Sequence, residues 1–339
     1  MIFFDTTNAS SWGHASGLAR VSGRLAAELG GAATGARWPE LGKLPGKADW
    51  ILTPELFSEY ERPGLTALLE RRPCRMAAIY HDAIPIKFPA ITWPRSVERH
   101  PGYMKLLARF DRVWAVSRAS RDELLGFWRW QGVANPPPVD VLSLGADLPG
   151  IARAGGSSAP RATPPRIVSI GILEPRKNQS VLLDACETLW EEGVELELHL
   201  VGRVNPHFGK PIAERVERMR SLRPGLRHHR GMDDEKLASL VRSSRATAFP
   251  SLAEGCGLPL LESLWLGVPC VCSDIAPLLE NAAGGGCSVV SGNGLEGWIA
   301  GIREILGDGA LRARLAAEAA GRALPTWAGA AGALRDALA

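Results

Sequence analysis

The chain lacks the features that mark several common protein classes. No stretch approaches the roughly 20 consecutive apolar residues that a membrane-spanning helix needs. The six cysteines, at positions 74, 186, 256, 270, 272 and 287, form no C-x-x-C pair and no zinc-ligand spacing, and reduced thiols are expected. Cys270 and Cys272 alternate within an apolar run, so they should project to one face of a strand as small hydrophobes. No Gly-x-Gly-x-x-Gly follows any expected strand, which argues against a nicotinamide dehydrogenase, and Gly13-x3-Gly17 is no dinucleotide fingerprint. No Asp-x-Asp occurs, which weakens the case for a metal-dependent transferase. A formal net charge of +3 is small for 339 residues, so bulk charge does not mark a nucleic-acid binder. Met1-Ile2-Phe3-Phe4 runs directly into Asp5 without a basic region or long apolar core, so no signal peptide is expected and a cytoplasmic location is. There is no internal repeat at the level of sequence.

What is present is a soluble-type composition, 46% apolar, in a length that usually divides into two domains with separate cores. Short apolar runs at 2–4, 49–52, 76–80, 113–117, 167–171, 196–201, 246–249 and 268–273 read as buried strands. Between them lie helical segments, among them 18–29, 65–71, 118–127, 211–222 and 235–242, then 295–306, 310–322 and 327–338. Such alternation is the pattern of α/β domains. Residues 150–165, rich in Gly, Ser, Ala and Pro, read as a flexible linker and place a domain boundary near mid-chain. Asp233-Asp234 look like a metal pair but read better as capping acids for the helix that follows.

One stretch organises the chain: Phe249-Pro250-Ser251-Leu252-Ala253-Glu254-Gly255-Cys256-Gly257-Leu258-Pro259-Leu260-Leu261-Glu262. A strand ends at Phe249, a loop with two glycines follows, and a helix opens at Pro259, where a missing N–H costs nothing. The carboxyl end of a strand beside the amino end of a helix is where open α/β sheets bind ligands and where free N–H groups attract anions. Glu254 and Glu262, with seven residues between them, can address one ligand there. Glu262 taken alone is equally a residue that complements the helix dipole.

A second corner, Leu173-Glu174-Pro175-Arg176-Lys177-Asn178, joins the strand at 167–171 to a helix. Two cations at a helix start oppose its dipole, and a bound diphosphate would justify them, Arg as a planar fork and Lys as a point charge. An isolated Arg-Lys pair is otherwise a solvated turn. In the first half, Ser16-Gly17-Leu18 opens a helix and His81-Asp82-Ala83-Ile84-Pro85 ends a strand. His81 is open to two readings, a donor of a hydrogen bond to substrate or a histidine tied to Asp82 or backbone. Phe127-Trp128-Arg129-Trp130, downstream of Arg109, Arg112, Arg118 and Arg121, suits a lipid interface or equally a helix end packed in the core.

The string Glu254-Gly255-x-Gly257-Leu258-Pro259-x-x-Glu262 resembles the Glu-x7-Glu signature of retaining glycosyltransferases of the two-domain GT-B fold, in particular glycosyltransferase family 4, mannosyltransferase-like. Glu174-Pro175-Arg176-Lys177-Asn178 resembles the family's phosphate clamp, and Gly17 and His81-Asp82-x-x-Pro85 resemble its first-domain corners. Two departures are Cys256, where the family often has an aromatic, and a long polar first loop containing Trp12-Gly13-His14.

The resemblance implies two Rossmann-like doubly wound domains facing across a cleft: residues 1–155 on the acceptor side, 156–322 binding a nucleotide sugar, and a helix in 323–339 that packs back on the first domain. It implies catalytic roles for Glu254 and His81, with donor binding by Arg176, Lys177, Gly255, Cys256, Gly257, Leu258, Glu262, Gly17, Gly231 and Met232. Glu262 would hold the ribose hydroxyls. The reaction implied is retaining transfer of a hexose, mannose- or deoxyhexose-type, from a nucleoside diphosphate sugar to a glycan or lipid-linked glycan, in polysaccharide biosynthesis. Arg176, Lys177 and the backbone at 255–258 would stabilise the leaving diphosphate, so no metal or other cofactor is expected. Peripheral contact with the inner membrane face is a further expectation. A nucleotide-sugar hydrolase or epimerase, or a non-catalytic nucleotide-sugar-binding protein, would use the same scaffold.

Overall fold

The computed structural model of the chain describes residues 1–8, 17–41, 46–155 and 162–339. Two compact units are present: Met1–Gly145 together with Pro325–Ala339, and Ala146–Leu324.

In the first unit the chain runs β1 (Ile2–Asp5), α1 (Gly17–Leu29), β2 (Ala33–Ala36), α2 (Trp38–Leu41), β3 (Trp50–Thr53), α3 (Leu65–Arg71), β4 (Arg75–Tyr80), α4 (Ile84–Lys87), α5 (Pro94–Leu107), β5 (Arg112–Ala115), α6 (Arg118–Trp130) and β6 (Val139–Val141). The six strands form one parallel sheet in the order β2-β1-β3-β4-β5-β6. Strands β1, β3 and β4 are buried almost throughout because helices cover both faces, and this explains their continuous apolar runs. One face buries Ile51, Met76, Ala78 and Val113 against Tyr103, Leu107 and Trp128 of α5 and α6.

The second unit runs β7 (Arg166–Ile170), α7 (Gln179–Glu191), β8 (Glu197–Val201), α8 (Lys210–Leu222), β9 (Leu226–His229), α9 (Asp234–Arg242), β10 (Ala246–Phe249), α10 (Leu258–Trp265), β11 (Cys270–Ser273), α11 (Ala276–Ala282), β12 (Cys287–Val290), α12 (Leu295–Gly307) and α13 (Gly309–Gly321). Its parallel sheet has the order β9-β8-β7-β10-β11-β12, so winding starts at β7, proceeds to one edge, then returns beside β7 with β10. That is the doubly wound order 3-2-1-4-5-6, with its switch point between β7 and β10. Leu182, Ala185, Cys186 and Leu189 of α7 pack with Ile302 and Ile305 of α12 over Leu198 and Val271. Cys270 and Cys272 do share a face, beneath Leu260 and Leu264 of α10. The last helix, α14 (Trp327–Leu338), belongs to the first unit, where Trp327 is buried, its ring under the Arg24 guanidinium of α1.

Several expectations are revised. The reading of 150–165 as a flexible linker does not hold for its described residues: the Ala154 N–H donates to Trp265 O (3.1 Å), Arg153 Nη2 to Ala319 O (3.0 Å) and the Ala162 N–H to Ser243 O (2.9 Å). Composition alone misses such backbone anchoring, and residues 156–161 fall outside what is described. Strands β2, β6, β9 and β12 were not expected from the sequence, and all four lie toward the sheet margins, β6, β9, β2 and β12 being the edges. Because β12 is a strand, the string Gly292-x-Gly294-x-x-Gly297 that follows it and runs into α12 overturns the expectation that no such string follows a strand, although it stands at the sheet edge and not at the switch point. Helix α5 carries Pro101 inside it, a residue that argues against a helix. Asp233 caps α9 as expected, its carboxylate accepting the Lys236 N–H at 2.8 Å. The tetrapeptide at 127–130 divides: Trp128 is buried with Nε1–H donated to Met104 O (2.7 Å), whereas Trp130 is 77% exposed beside Phe127.

Candidate active site

Strands β7 and β10 are hydrogen-bonded neighbours, so the loops leaving their carboxyl ends lie side by side at the switch point of the second unit. These loops carry Glu174, Arg176 and Lys177, and Ala253, Glu254 and Gly255. After β7 the chain makes a short 3₁₀ turn, Pro175–Lys177, and Asn178 in the left-handed region (φ 50°) then starts α7. The two cations therefore sit ahead of the helix, and their backbone is tied to the second loop by Leu252 N–H to Arg176 O at 2.8 Å.

Close approach at this corner depends on glycine. A Cβ on Gly202, at the end of β8, would lie 2.0 Å from Gly171 O. Gly257 precedes α10 at φ 86°, a left-handed conformation that strains any side chain, and a Cβ there would also require Leu278 Cδ2, 2.5 Å away, to shift.

Four charged side chains meet in the loops. Lys177 Nζ lies 2.6 Å from Glu254 Oε1, and Arg176 Nη1 lies 3.3 Å from that same oxygen. Arg176 Nη1 also donates to Ala253 O (2.8 Å), and Nη2 pairs with Glu174 Oε1 at 2.7 Å. The Lys177 ammonium stands 4.7 Å from the centroid of the Phe249 ring, an apolar wall that still favours a cation. Burial is the main influence on Lys177 and lowers its pKa, opposed by Glu254. Burial pushes the Glu254 carboxyl up, but Lys177 and then Arg176 outweigh it, leaving the group below the usual carboxylate range. Two cations and two carboxylates thus balance in a small, largely desolvated volume, arranged around one oxygen that both cations address.

The rest of the motif surrounds this cluster. Cys256 O accepts from Asn281 Nδ2 at 2.6 Å, and burial raises the Cys256 thiol pKa to about 12, so it is a neutral wall group. Leu258 opens α10, and Glu262, buried to 5% exposure, follows one turn later on the same helix. Gly231 and Met232 lie between β9 and α9, two strands from β7, with Met232 packed near Val201 and Leu237. Glu174 and Asn205 were missed as site residues: Asn205 Nδ2 donates to Glu174 Oε2 at 2.7 Å. The signal available for Glu174 was a carboxylate two residues before paired cations, whereas Asn205 had no sequence signal.

In the first unit, Gly17 is the exposed first residue of α1, and Trp12, Gly13 and His14 lie outside the described residues. His81 follows β4 and is buried, with Nε2 2.7 Å from Pro54 O. A carbonyl only accepts, so Nε2 carries the proton. Burial lowers the ring's pKa, so the neutral ring presents Nδ1 as its acceptor. At this sheet's switch point, between β1 and β3, sits a buried group that sequence reasoning did not find. Arg62 Nε lies 2.9 Å from Asp5 Oδ2 and its Nη2 2.6 Å from Glu55 Oε2, while the Thr7 and Asn8 N–H groups donate to these carboxylates at 3.0 and 2.8 Å. A carboxylate directly after the apolar run 2–4 is the local signal for Asp5, whereas Glu55 and Arg62 have none in the sequence.

Two doubly wound parallel sheets, the second with a charged site at its switch point, define an α/β protein of GT-B fold. The structure of trehalose-6-phosphate synthase OtsA aligns with a TM-score of 0.71 at 13% identity, covering 94% of both chains. Sucrose-phosphate synthase from Thermosynechococcus elongatus aligns with a TM-score of 0.64 at 17% identity, over 85% of this chain and 72% of that one. Residues 155–322 match the family described as glycosyl transferases group 1, so the second unit carries a glycosyl transferases group 1 domain. The serotype-specific mannosyltransferase WbdA of Escherichia coli is 31% identical over 220 residues, 60% of this chain and 26% of the relative. The D-inositol 3-phosphate glycosyltransferase of Rhodococcus opacus (strain B4) is 29% identical over 247 residues, 67% of this chain and 52% of the relative. The chain thus spans about a quarter of the first relative's length and half of the second's.

Proposed function

We propose that the protein is a retaining glycosyltransferase of family 4 that moves a hexose from a nucleoside diphosphate sugar to a glycan acceptor in polysaccharide assembly. The observation that carries this reading is the convergence of Lys177 and Arg176 on a single oxygen, at the switch point of a sheet of nucleotide-binding order. That oxygen is Glu254 Oε1. A phosphoryl oxygen of the donor has the charge and hydrogen-bonding character to replace it. The diphosphate would then take both cations, and Glu254 would turn to the hydroxyls of the sugar. Glu262, on the helix beyond Gly257, would accept from the ribose diol.

In the transfer step the acceptor hydroxyl oxygen bonds to the anomeric carbon as the bond from that carbon to the diphosphate oxygen breaks. The electron pair leaves with the diphosphate, and the acceptor's proton passes to a departing phosphate oxygen on the same face, which retains configuration. Arg176 and Lys177 lower the barrier by meeting the charge that develops on the leaving group. His81, expected to donate to substrate, has its Nε2 proton on Pro54 O and is therefore assigned to accept, through Nδ1, from a hydroxyl of the donor sugar. A mannose-type donor is supported by the name of the Escherichia coli relative, a serotype-specific mannosyltransferase. Exposed Trp130, beside the tilted ring of Phe127 on α6, supports peripheral contact of a cytoplasmic enzyme with a membrane that carries a lipid-linked acceptor.

The test is the unfolding temperature against a panel of GDP, UDP, ADP and dTDP and their common sugars, since a ligand that binds only the folded state raises it by mass action. One base should stabilise, and its hexose conjugate should transfer to a glycan. Stabilisation by none of them would refute the nucleotide-sugar reading, and release of free sugar without any acceptor would mark a hydrolase. Co-sedimentation with anionic vesicles, lost in Trp130→Ala, tests the membrane contact.

A further inference from the structure

Glu174 occupies an unusual position for a carboxylate. It is buried beside two cations that a diphosphate is proposed to need, and it adds negative charge where an anion must bind. Its two oxygens are divided between two partners. Oε1 holds Arg176 Nη2 at 2.7 Å and Oε2 accepts from Asn205 Nδ2 at 2.7 Å. Asn205 is itself fixed. Its Oδ1 accepts the His207 and Phe208 N–H groups at 2.9 and 3.2 Å, and its own N–H donates to Leu173 O at 3.0 Å. Leu173 and Val204 are bridged in parallel, and a Cβ on Gly209 would lie 2.4 Å from Leu173 O, so the loops after β7 and β8 are pressed together. The chain Asn205–Glu174–Arg176–Ala253 therefore links the loops that follow β8, β7 and β10.

From this connection we infer that Asn205 and Glu174 are positioning residues for the donor diphosphate, acting through Arg176. The inference rests on the proposed function of the site. When a phosphate oxygen takes the place of Glu254 on Arg176 Nη1, the Nη2 side of the guanidinium stays on Glu174, so the fork is already aimed. The entropy of fixing a long side chain is then spent in folding and not in binding. Glu174 can hold that aim only if its own carboxylate is fixed, which is what the Asn205 amide does. The side chain of Asn205 has two separable functions: its oxygen maintains the turn at 205–208, and its NH₂ orients Glu174.

The substitution Asn205→Asp separates them, because aspartate keeps an oxygen for the His207 and Phe208 N–H groups and loses the donor to Glu174. Asn205→Ala loses both without adding charge. Each is made in the wild-type chain and in Arg176→Ala. Calorimetry uses whichever of GDP, UDP, ADP and dTDP binds the wild-type protein most tightly, with its nucleoside as control. Both substitutions should weaken diphosphate binding roughly tenfold, the scale of one charge-assisted hydrogen bond, and leave the nucleoside within about twofold. In Arg176→Ala neither should weaken binding further, because the residue through which they act is gone. Equal losses in both backgrounds, or equal losses for diphosphate and nucleoside, would overturn the inference. So would an unaltered diphosphate affinity in well-folded Asn205→Asp. Should Asn205→Ala unfold, Asn205→Asp alone decides. A wild-type protein that binds none of the four diphosphates would instead remove the nucleotide-sugar reading.

Discussion

Lys177 and Glu254, 77 residues apart in sequence, meet through a 2.6 Å bond between Nζ and Oε1. Both side chains are buried, and Arg176 addresses the same carboxylate oxygen from the other side. The charges of this cluster neutralise one another. An anion that takes both cations must displace Glu254 from them, so the contact of that carboxylate with Lys177 and its proposed contact with the sugar exclude one another.

Replacement of Glu254 by Gln removes the competitor and keeps the volume. Affinity for the bare nucleoside diphosphate should rise, roughly three- to tenfold, because the cations no longer have a neutralising partner in the loop. Transfer should fall sharply, since the carboxylate assigned to the sugar is gone. Stability should drop by about 2 kcal/mol as a hydrogen-bonded buried ion pair is broken. Calorimetry with the diphosphate and urea unfolding measure these effects. Weaker diphosphate binding in Glu254→Gln would mean that the carboxylate supports the phosphate and does not compete with it.

Glu262→Ala should act on a different part of the donor. Its carboxylate, on α10 beyond the Gly257 turn, is assigned to the ribose hydroxyls, and loss of a charged acceptor from a buried diol costs about 1.5–3 kcal/mol. The expected loss is equal for nucleoside and nucleoside diphosphate, in contrast to Arg176→Ala, which should spare the nucleoside. Unchanged nucleoside affinity in Glu262→Ala would take Glu262 out of the site.

The interior of the fold was legible and its margins were not. Most interior strands are apolar runs because helices cover both faces, as at Ala246–Phe249, where all four residues are buried, although interior β8 carries Glu197 and His199. The edge strands have no such constraint: β9 reads Leu-Arg-His-His, and only Leu226 is buried. The site followed the same division. Arg176, Lys177 and Glu254 stand in local motifs, so their loops could be placed at strand ends from sequence. That Lys177 meets Glu254, and that Asn205 holds Glu174, depends on β8 and β10 flanking β7. Sheet order is a property of the whole chain, and no local spacing encodes it.

Stability should fall on acidification from pH 7 to pH 5. His81, His100 and His229 have pKa values lowered chiefly by burial, and burial with Arg166 holds His199 at about 4. A histidine whose pKa is lower folded than unfolded binds more protons in the unfolded chain over the interval between the two values. Stability then rises with pH across that interval and is lost as pH falls below about 6.5. His199 by itself contributes a loss of up to about 2 kcal/mol by pH 5. Urea midpoints at pH 5, 6 and 7 measure the slope, and His199→Gln should flatten it. A midpoint that does not change with pH would show that these rings take up protons in the folded state.

The last prediction is that transfer needs no divalent metal. A metal in such enzymes offsets charge on the departing diphosphate, and here Arg176 and Lys177 are assigned that role. Glu174 and Glu254 balance them, and as a phosphoryl oxygen takes the place of Glu254 both cations address the leaving group directly, with the backbone N–H groups before α10 adding to that field. Turnover should persist in excess EDTA at an unaltered rate, and Lys177→Met should not be rescued by magnesium or manganese. If EDTA abolishes turnover and either ion restores it, charge neutralisation by Arg176 and Lys177 is insufficient and a metal shares the leaving group.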